Sequence, residues 1–210
     1  MLRIFVYLAM LTLLASACKF CHRTLKDQSL LLRDACIDGS KEMVEELLKN
    51  PKRDQFINLE DPGDKNSLLH CVENGFVDLV DTLIAGGADV NHANVFGNTA
   101  LLAATQIGSL DMVAALITAG ADVNHGNGMD SKPFEVAIER NMYSLAFYLV
   151  KHGAVVTKKA RAIYRLQDNL NPKFEDLLKN WEKYAPAKIE EEEEEETGET
   201  EGDNKQHEEL

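Results

Sequence analysis

The feature that most limits how this chain can fold is a segment that occurs twice. Gly87-Ala88-Asp89-Val90-Asn91-His92 returns 33 residues later as Gly120-Ala121-Asp122-Val123-Asn124-His125. A weaker third copy, Gly153-Ala154-Val155-Val156, follows after another 33 residues. The same offset relates Gly75 to Gly108, Val80 to Val113, Leu83 to Leu116 and Ile84 to Ile117, and it carries Leu116 on to Leu149. A period of this length means one supersecondary unit used several times, each unable to bury its apolar face except against the next. Inside one period, Leu110, Val113, Leu116 and Ile117 are spaced three, three and one residues apart, which predicts a helix with one buried stripe. Gly87 and Gly120 then supply the left-handed residue that ends such a helix.

Four units can be placed. The first covers about residues 29–50, with Gly39 at its helix-to-helix turn. Gly39 stands 36 residues before Gly75, so three extra residues fall in the 51–64 connection and predict a lengthened finger there. The fourth unit has Asn141 in place of the turn glycine and Val155 in place of the aspartate, the decay expected of a capping unit. Residues 158–168 and 173–184 predict a last helical pair, with Phe174, Leu177, Leu178 and Trp181 on one face after Pro172 and Trp181 as the lid of the core.

Over about residues 28–157 these units resemble the ankyrin family, whose repeats have this length. Asn98-Thr99-Ala100-Leu101 matches the start of the family's Thr-Pro-Leu-His motif, and Lys132-Pro133-Phe134 keeps its proline. Leu69 and Leu102 stand where the family places its histidine, so the bonds that residue makes must be absent or replaced; His70 is one position late. The resemblance implies an all-α repeat solenoid, a stack of helix-turn-helix units with short β-turn fingers. It also implies a non-catalytic scaffold that binds protein through the fingers and the concave face of the first helices. Val95 and Phe96 precede Gly97 in one turn, and Met129 precedes Ser131 in the corresponding one. Apolar side chains at such tips are candidates for partner contact, because aromatic anchors dominate binding energy at interfaces. The alternative for Phe96 is to fold back under its own turn. Gln106 and Glu73, near the ends of first helices, are secondary candidates.

The two ends of the chain differ from its middle. Arg3 followed by a nearly unbroken apolar run over residues 4–14, then Ala15-Ser16-Ala17, reads as a cleavable signal peptide. The run is too short to span a bilayer, which takes ~20 apolar residues. The mature chain is then expected to begin near Cys18 and to be soluble. At the other end, residues 190–196 are seven consecutive glutamates in a stretch with too little apolar surface to fold. The last four residues, His207-Glu208-Glu209-Leu210, resemble the Lys-Asp-Glu-Leu family of retrieval signals. Signal peptide and retrieval signal together predict residence in the endoplasmic-reticulum lumen, with the retrieval receptor as one partner. The glutamate run resembles the calcium-buffering tail of the calreticulin family and would attract calcium weakly, having no preformed oxygen cage; its alternative role is a solvating linker. The resulting layout is a signal peptide at 1–17, a short segment at 18–28, repeats at 29–157, a helical cap at 158–186 and an acidic tail at 187–210.

Charge and cysteines limit the function classes. Twelve acidic side chains against Lys188 and Lys205 put most of the net charge of -13 into residues 188–210, so the body is nearly balanced and offers no basic surface for nucleic acid. Cys18 and Cys21 can close a local disulfide, or serve a lumenal redox enzyme, although no strand precedes them as a redox fold requires. Ala15-Ser16-Ala17-Cys18 also resembles a lipobox, the mark of a bacterial envelope lipoprotein anchored through Cys18. Cys36 and Cys71 fall in the first helices of adjacent units, and an interaxial distance of ~8 to 10 Å predicts two buried free thiols. His92 and His125 recur at one repeat, with a shared metal site as the less favoured alternative to two unconnected side chains. No zinc spacing, phosphate-binding glycine loop, dinucleotide fingerprint or nucleophile elbow is present, so no cofactor and no catalysis are expected.

Overall fold

The computed structural model describes residues 24–166 and 171–186. The expected signal peptide, Cys18 and Cys21, the acidic stretch at 187–210 and its terminal His207, Glu208, Glu209 and Leu210 lie outside the described residues. Within them the chain forms ten α-helices, the first eight in antiparallel pairs: α1 (Leu25–Asp38) with α2 (Lys41–Leu48), α3 (Ser67–Glu73) with α4 (Val77–Ala85), α5 (Ala100–Ile107) with α6 (Leu110–Thr118), and α7 (Pro133–Glu139) with α8 (Tyr143–Lys151); α9 (Lys158–Arg165) then packs on α7 and α10 (Pro172–Asn180) on α8. First helices α1, α3, α5, α7 and α9 stand side by side in one row, and second helices touch along α2–α4–α6 and α8–α10. The fold is an all-α repeat stack. Among the described residues the only β pairing outside helices is a single antiparallel bridge, Ala93 to Thr99, at the base of a finger. No described helix is long and apolar enough to cross a membrane.

Each unit is built by the same local rules. A polar N-cap opens the first helix: Asn66 Oδ1 accepts the Leu69 N–H at 2.9 Å and Thr99 Oγ1 accepts the Leu102 N–H at 3.3 Å. Asn66 Nδ2 also donates to the Asp89 carbonyl at 3.2 Å, and Leu69 and Leu102, where the family places its histidine, are fully buried. The first helix then turns into the second through a left-handed residue, Gly39, Gly75 and Gly108 at φ of 72°, 83° and 83°, and Asn141 at 57°. Asn141 therefore adopts the conformation of the glycine it replaces, which asparagine tolerates better than most side chains. Leu68, Val80, Leu83, Leu101, Val113, Leu116, Ala146 and Leu149 are fully buried or nearly so and form one continuous core. Leu110, expected in that stripe, is instead substantially exposed, and Met112 is buried with Val113 and Leu116. As the first residue of α6, Leu110 directs its Cβ back past the end of the packed stripe.

Consecutive units are stapled by asparagine. Asn58, Asn91 and Asn124 stand 33 residues apart, and each uses both halves of its amide on the next unit's glycine-alanine loop. Asn58 Oδ1 accepts from Asp89 N at 2.8 Å while Nδ2 donates to the Gly87 carbonyl at 3.3 Å. Asn91 does the same to Asp122 N at 2.8 Å and the Gly120 carbonyl at 3.1 Å. Asn124 repeats it on Val155 N and the Gly153 carbonyl, both at 2.9 Å.

Two expectations about the first unit are corrected. The three extra residues do fall in the 51–64 connection, but they do not lengthen its finger, since Asp61 and Asp64 keep the regular offset of 33 to Asn94 and Gly97. They fall between α2 and Asn58, where a turn of 3₁₀ helix, Arg53–Gln55, folds Phe56 and Ile57 into the core. Cys36 and Cys71 are not free thiols: they form a disulfide between α1 and α3, with Cα atoms 4.7 Å apart. Helix axes ~8 to 10 Å apart do not exclude this, because facing Cα atoms each lie ~2.3 Å off the axis toward one another. α1 itself begins at Leu25, ahead of residue 29, with Thr24 and Asp27 bonding each other's backbone N–H groups at 3.2 and 3.0 Å.

At the other end, Phe174, Leu177, Leu178 and Trp181 are buried, and α10 gives way to a 3₁₀ turn at Trp181–Lys183. Tyr143 meets Phe174 edge-on at 5.4 Å and Phe147 meets Tyr184 at 5.2 Å, sealing the last pair against α8. Because the disulfide joins cysteines 35 residues apart, replacing both Cys36 and Cys71 by serine is expected to lower stability by about 2 to 4 kcal/mol in urea titration without reductant. The gap to wild type should narrow when reductant is added, and its persistence at full size would show that the bridge does not form.

Candidate functional site

Three fingers rise from the bases of α3, α5 and α7, and one side chain shapes each. Asp61, Asn94 and Asn127 stand at a constant offset of 33. Asp61 Oδ1 accepts from Gly63 N at 2.8 Å and Lys65 N at 3.0 Å. Asn94 Oδ1 accepts from Phe96 N at 2.9 Å and Asn98 N at 3.0 Å, and Asn127 Oδ1 from Met129 N and Ser131 N, both at 3.0 Å. Each turn closes on a left-handed residue, Asp64, Gly97 or Asp130. At Gly97 a side chain is excluded for a further reason: a Cβ would come within 2.8 Å of Gly128 N on the next finger.

The turns point their variable residues outward. Val95 is 56% exposed, Phe96 69% and Met129 80%. Phe96 thus projects from its turn and does not fold beneath it. Its backbone is held meanwhile, because Gly128 N donates to the Phe96 carbonyl at 2.9 Å and Asn127 Nδ2 to Asn98 Oδ1 at 3.0 Å. The Met129 finger is clamped from behind: Lys159 Nζ of α9 donates to the Asp130 carbonyl and, at 3.4 Å, to that of Met129. The same ammonium lies 3.4 Å from the carboxylate of Glu135, a buried group that accepts Thr157 Oγ1–H at 2.7 Å and Lys132 N–H at 3.2 Å. Two adjacent tips therefore present free side chains on fixed backbones, an arrangement suited to filling a partner's pocket at low ordering cost.

The secondary candidates occupy one repeat position and differ in state. Glu73, the last residue of α3, pairs with Lys65 at 2.7 Å, so its carboxylate is engaged by its own finger. Gln106 is half-buried in the last turn of α5, beside Ile107, an exposed apolar side chain that sequence reasoning passed over because its position is polar in the neighbouring units. His70 Nε2–H donates to Asp61 Oδ2 at 2.9 Å and straps the first finger to α3. His92 Nε2–H donates to the Asp64 carbonyl and Nδ1 lies 3.6 Å from Glu60, so His92 is engaged by the preceding finger and not by His125. Lys159 was equally unreadable in advance, because the last pair lacks a finger and breaks the period.

Residues 68–160 match the family model for ankyrin repeats, in three copies. This stretch is built of ankyrin repeats. No curated protein matches the chain. The first helical pair lies ahead of the matched region, in keeping with its three-residue insertion. Ankyrin repeats are in general protein-binding scaffolds.

Asp61 gives the first finger a pH dependence. Burial raises its carboxyl, but the Lys65 and Gly63 N–H groups and then His70 outweigh that and hold it below the ordinary carboxylate value. A lowered folded-state pKa contributes stability that is present above the unfolded value and lost as pH falls through the folded one. Asp61→Asn, which keeps the turn as Asn94 does, is expected to fall below wild type in stability at neutral pH and to converge with it below about pH 3.8. Parallel urea titrations across pH 2.5 to 7 check this, and a gap that widens toward acid would contradict it.

Proposed function

We propose that this protein is a non-catalytic scaffold of the endoplasmic-reticulum lumen that recognises another protein through the tips of its ankyrin fingers. The observation that carries the reading is the pair of adjacent tips whose side chains, Phe96 and Met129, are exposed while their backbones are bonded to each other and to α9. Val95 extends the same apolar surface, and Gln106 with Ile107 on α5 offers a second contact. Residues that build the stack recur, whereas these differ from unit to unit, as residues chosen for a partner should.

The compartment is supported by chemistry. A buried cystine between Cys36 and Cys71 suits an oxidising lumen and is rare where glutathione keeps thiols reduced. That agrees with the apolar leader at residues 1–17 and with a C-terminus ending His207-Glu208-Glu209-Leu210, which a retrieval receptor would read.

Phe96→Ala combined with Met129→Ala is expected to leave the helical spectrum and Tm near wild type. Against the partner recovered by affinity purification it should lose about 2 kcal/mol or more of association energy, roughly thirtyfold in affinity. Unchanged affinity would move the interface off the tips. In the same cells, removal of Leu210 should send the chain into the medium, and retention would contradict lumenal retrieval.

A further inference from the structure

The last helical pair differs from the rest of the stack in charge. Between residues 157 and 186 there are seven lysines and arginines against four aspartates and glutamates, in a chain whose net charge is -13. Lys158, Arg161 and Arg165 lie at i, i+3 and i+7 on α9, which places all three on one exposed stripe. Among the described residues no carboxylate pairs with any of them, whereas Lys159 and Lys179 are already engaged by Glu135 and Glu175. Arg161 and Arg165 form one wall of a groove of about 630 Å³ between α9 and α10, and its other lining includes Tyr164, Leu178 and the Glu175–Lys179 pair, whose opposite charges offset one another.

The geometry points to an occupant within the chain: we propose that the groove between α9 and α10 seats the seven glutamates at 190–196. Charge complementarity is one argument: Arg161 and Arg165 line the groove, Lys158 continues their stripe beyond it, and none of the three has a carboxylate partner among the described residues. Reach is the other. Pro186, the last described residue before the run, lies beside Gly153, whose Cβ position is 3.9 Å from the Pro186 ring, and Gly153 opens the loop that leads directly into α9. From there a chain extends ~3.3 to 3.6 Å per residue, so the glutamates become available ~13 Å from Pro186 and continue to ~35 Å. The eight residues of α9 are ~12 Å long, well within that span. A tether of a few residues also raises the local concentration of the run into the millimolar range, so weak ion pairs suffice to fill the groove.

The consequence is a cap whose basic stripe is covered in cis, and a tail whose glutamates are partly neutralised before any external cation meets them. Docking of this kind is screened by salt, because the Debye length falls from ~10 Å at 0.1 M to ~3 Å at 1 M.

The test uses the full chain, isotopically labelled, in three forms: wild type, a form with all seven glutamates at 190–196 changed to glutamine, and Arg161→Gln with Arg165→Gln. At low salt, the amide shifts of α9 and α10 in the glutamine form are expected to differ from wild type, and the wild-type values should move toward them at 1 M salt. The tail amides should shift in the double arginine variant. A hepta-glutamate peptide added in trans should perturb α9 and α10 in the glutamine form and leave wild type unmoved. Identical α9 and α10 shifts in wild type and the glutamine form at low salt would overturn the proposal. So would a peptide that perturbs both forms equally, since the groove would then be open to acidic chains from outside.

Discussion

The structure depends on a side-chain amide that bonds in both directions. An ankyrin unit cannot bury its own apolar stripe, so the stack survives only if each unit meets the next at a fixed height. Asn58, Asn91 and Asn124 set that height by accepting from one backbone N–H and donating to one carbonyl of the following loop. An amide does both at once from two separate atoms, an accepting oxygen and a donating nitrogen, without carrying charge. Once the loops are fixed, the helices behind them stack with Leu83, Leu116 and Leu149 in line, and the fingers ahead of them rise in step, near enough for Gly128 to bond to Phe96.

The two ends use different means to close the same core. At the N-terminal end the inserted 3₁₀ turn brings in Phe56 and Ile57, and the disulfide ties α1 to α3. At the C-terminal end the finger is missing, Thr157 caps α9 directly, and aromatic side chains of α8, α10 and the following turn close the stack. The buried Glu135 belongs to this arrangement. It sits at the repeat position of Leu69 and Leu102, where a partner hydroxyl from Thr157 and an ammonium from Lys159 exist only because the next unit is not a normal repeat. The tip side chains of Phe96 and Met129 are thereby left free on backbones that the stack holds.

Much of this was legible in the amino-acid order because repetition makes local signals add. The helix pairs, the left-handed turns and the buried Leu116 follow from one period, whereas its place in a turn left Phe96 equally able to project or to fold back. What escaped prediction breaks the period or depends on distances between surfaces. The Gly39 to Gly75 offset puts three extra residues in the 51–64 connection without fixing their place within it, whereas the Asn58 to Asn91 offset puts them before Asn58. The cystine is hidden from repeat spacing because the distance between two helix axes does not fix the distance between facing Cα atoms. The Lys159 clamp joins residues about 30 apart across a unit that has no counterpart in the stack.

The asparagine staple is the claim on which the others rest, and Asn91 tests it most directly because its side chain is exposed. An exposed substitution away from special features changes stability by ~0.5 kcal/mol or less. Asn91→Ala, followed by urea unfolding at neutral pH, is predicted instead to cost about 1 to 3 kcal/mol, the loss of two bonds between units. A variant within ~0.5 kcal/mol of wild type would contradict the account, because the units would then hold their spacing without the staple.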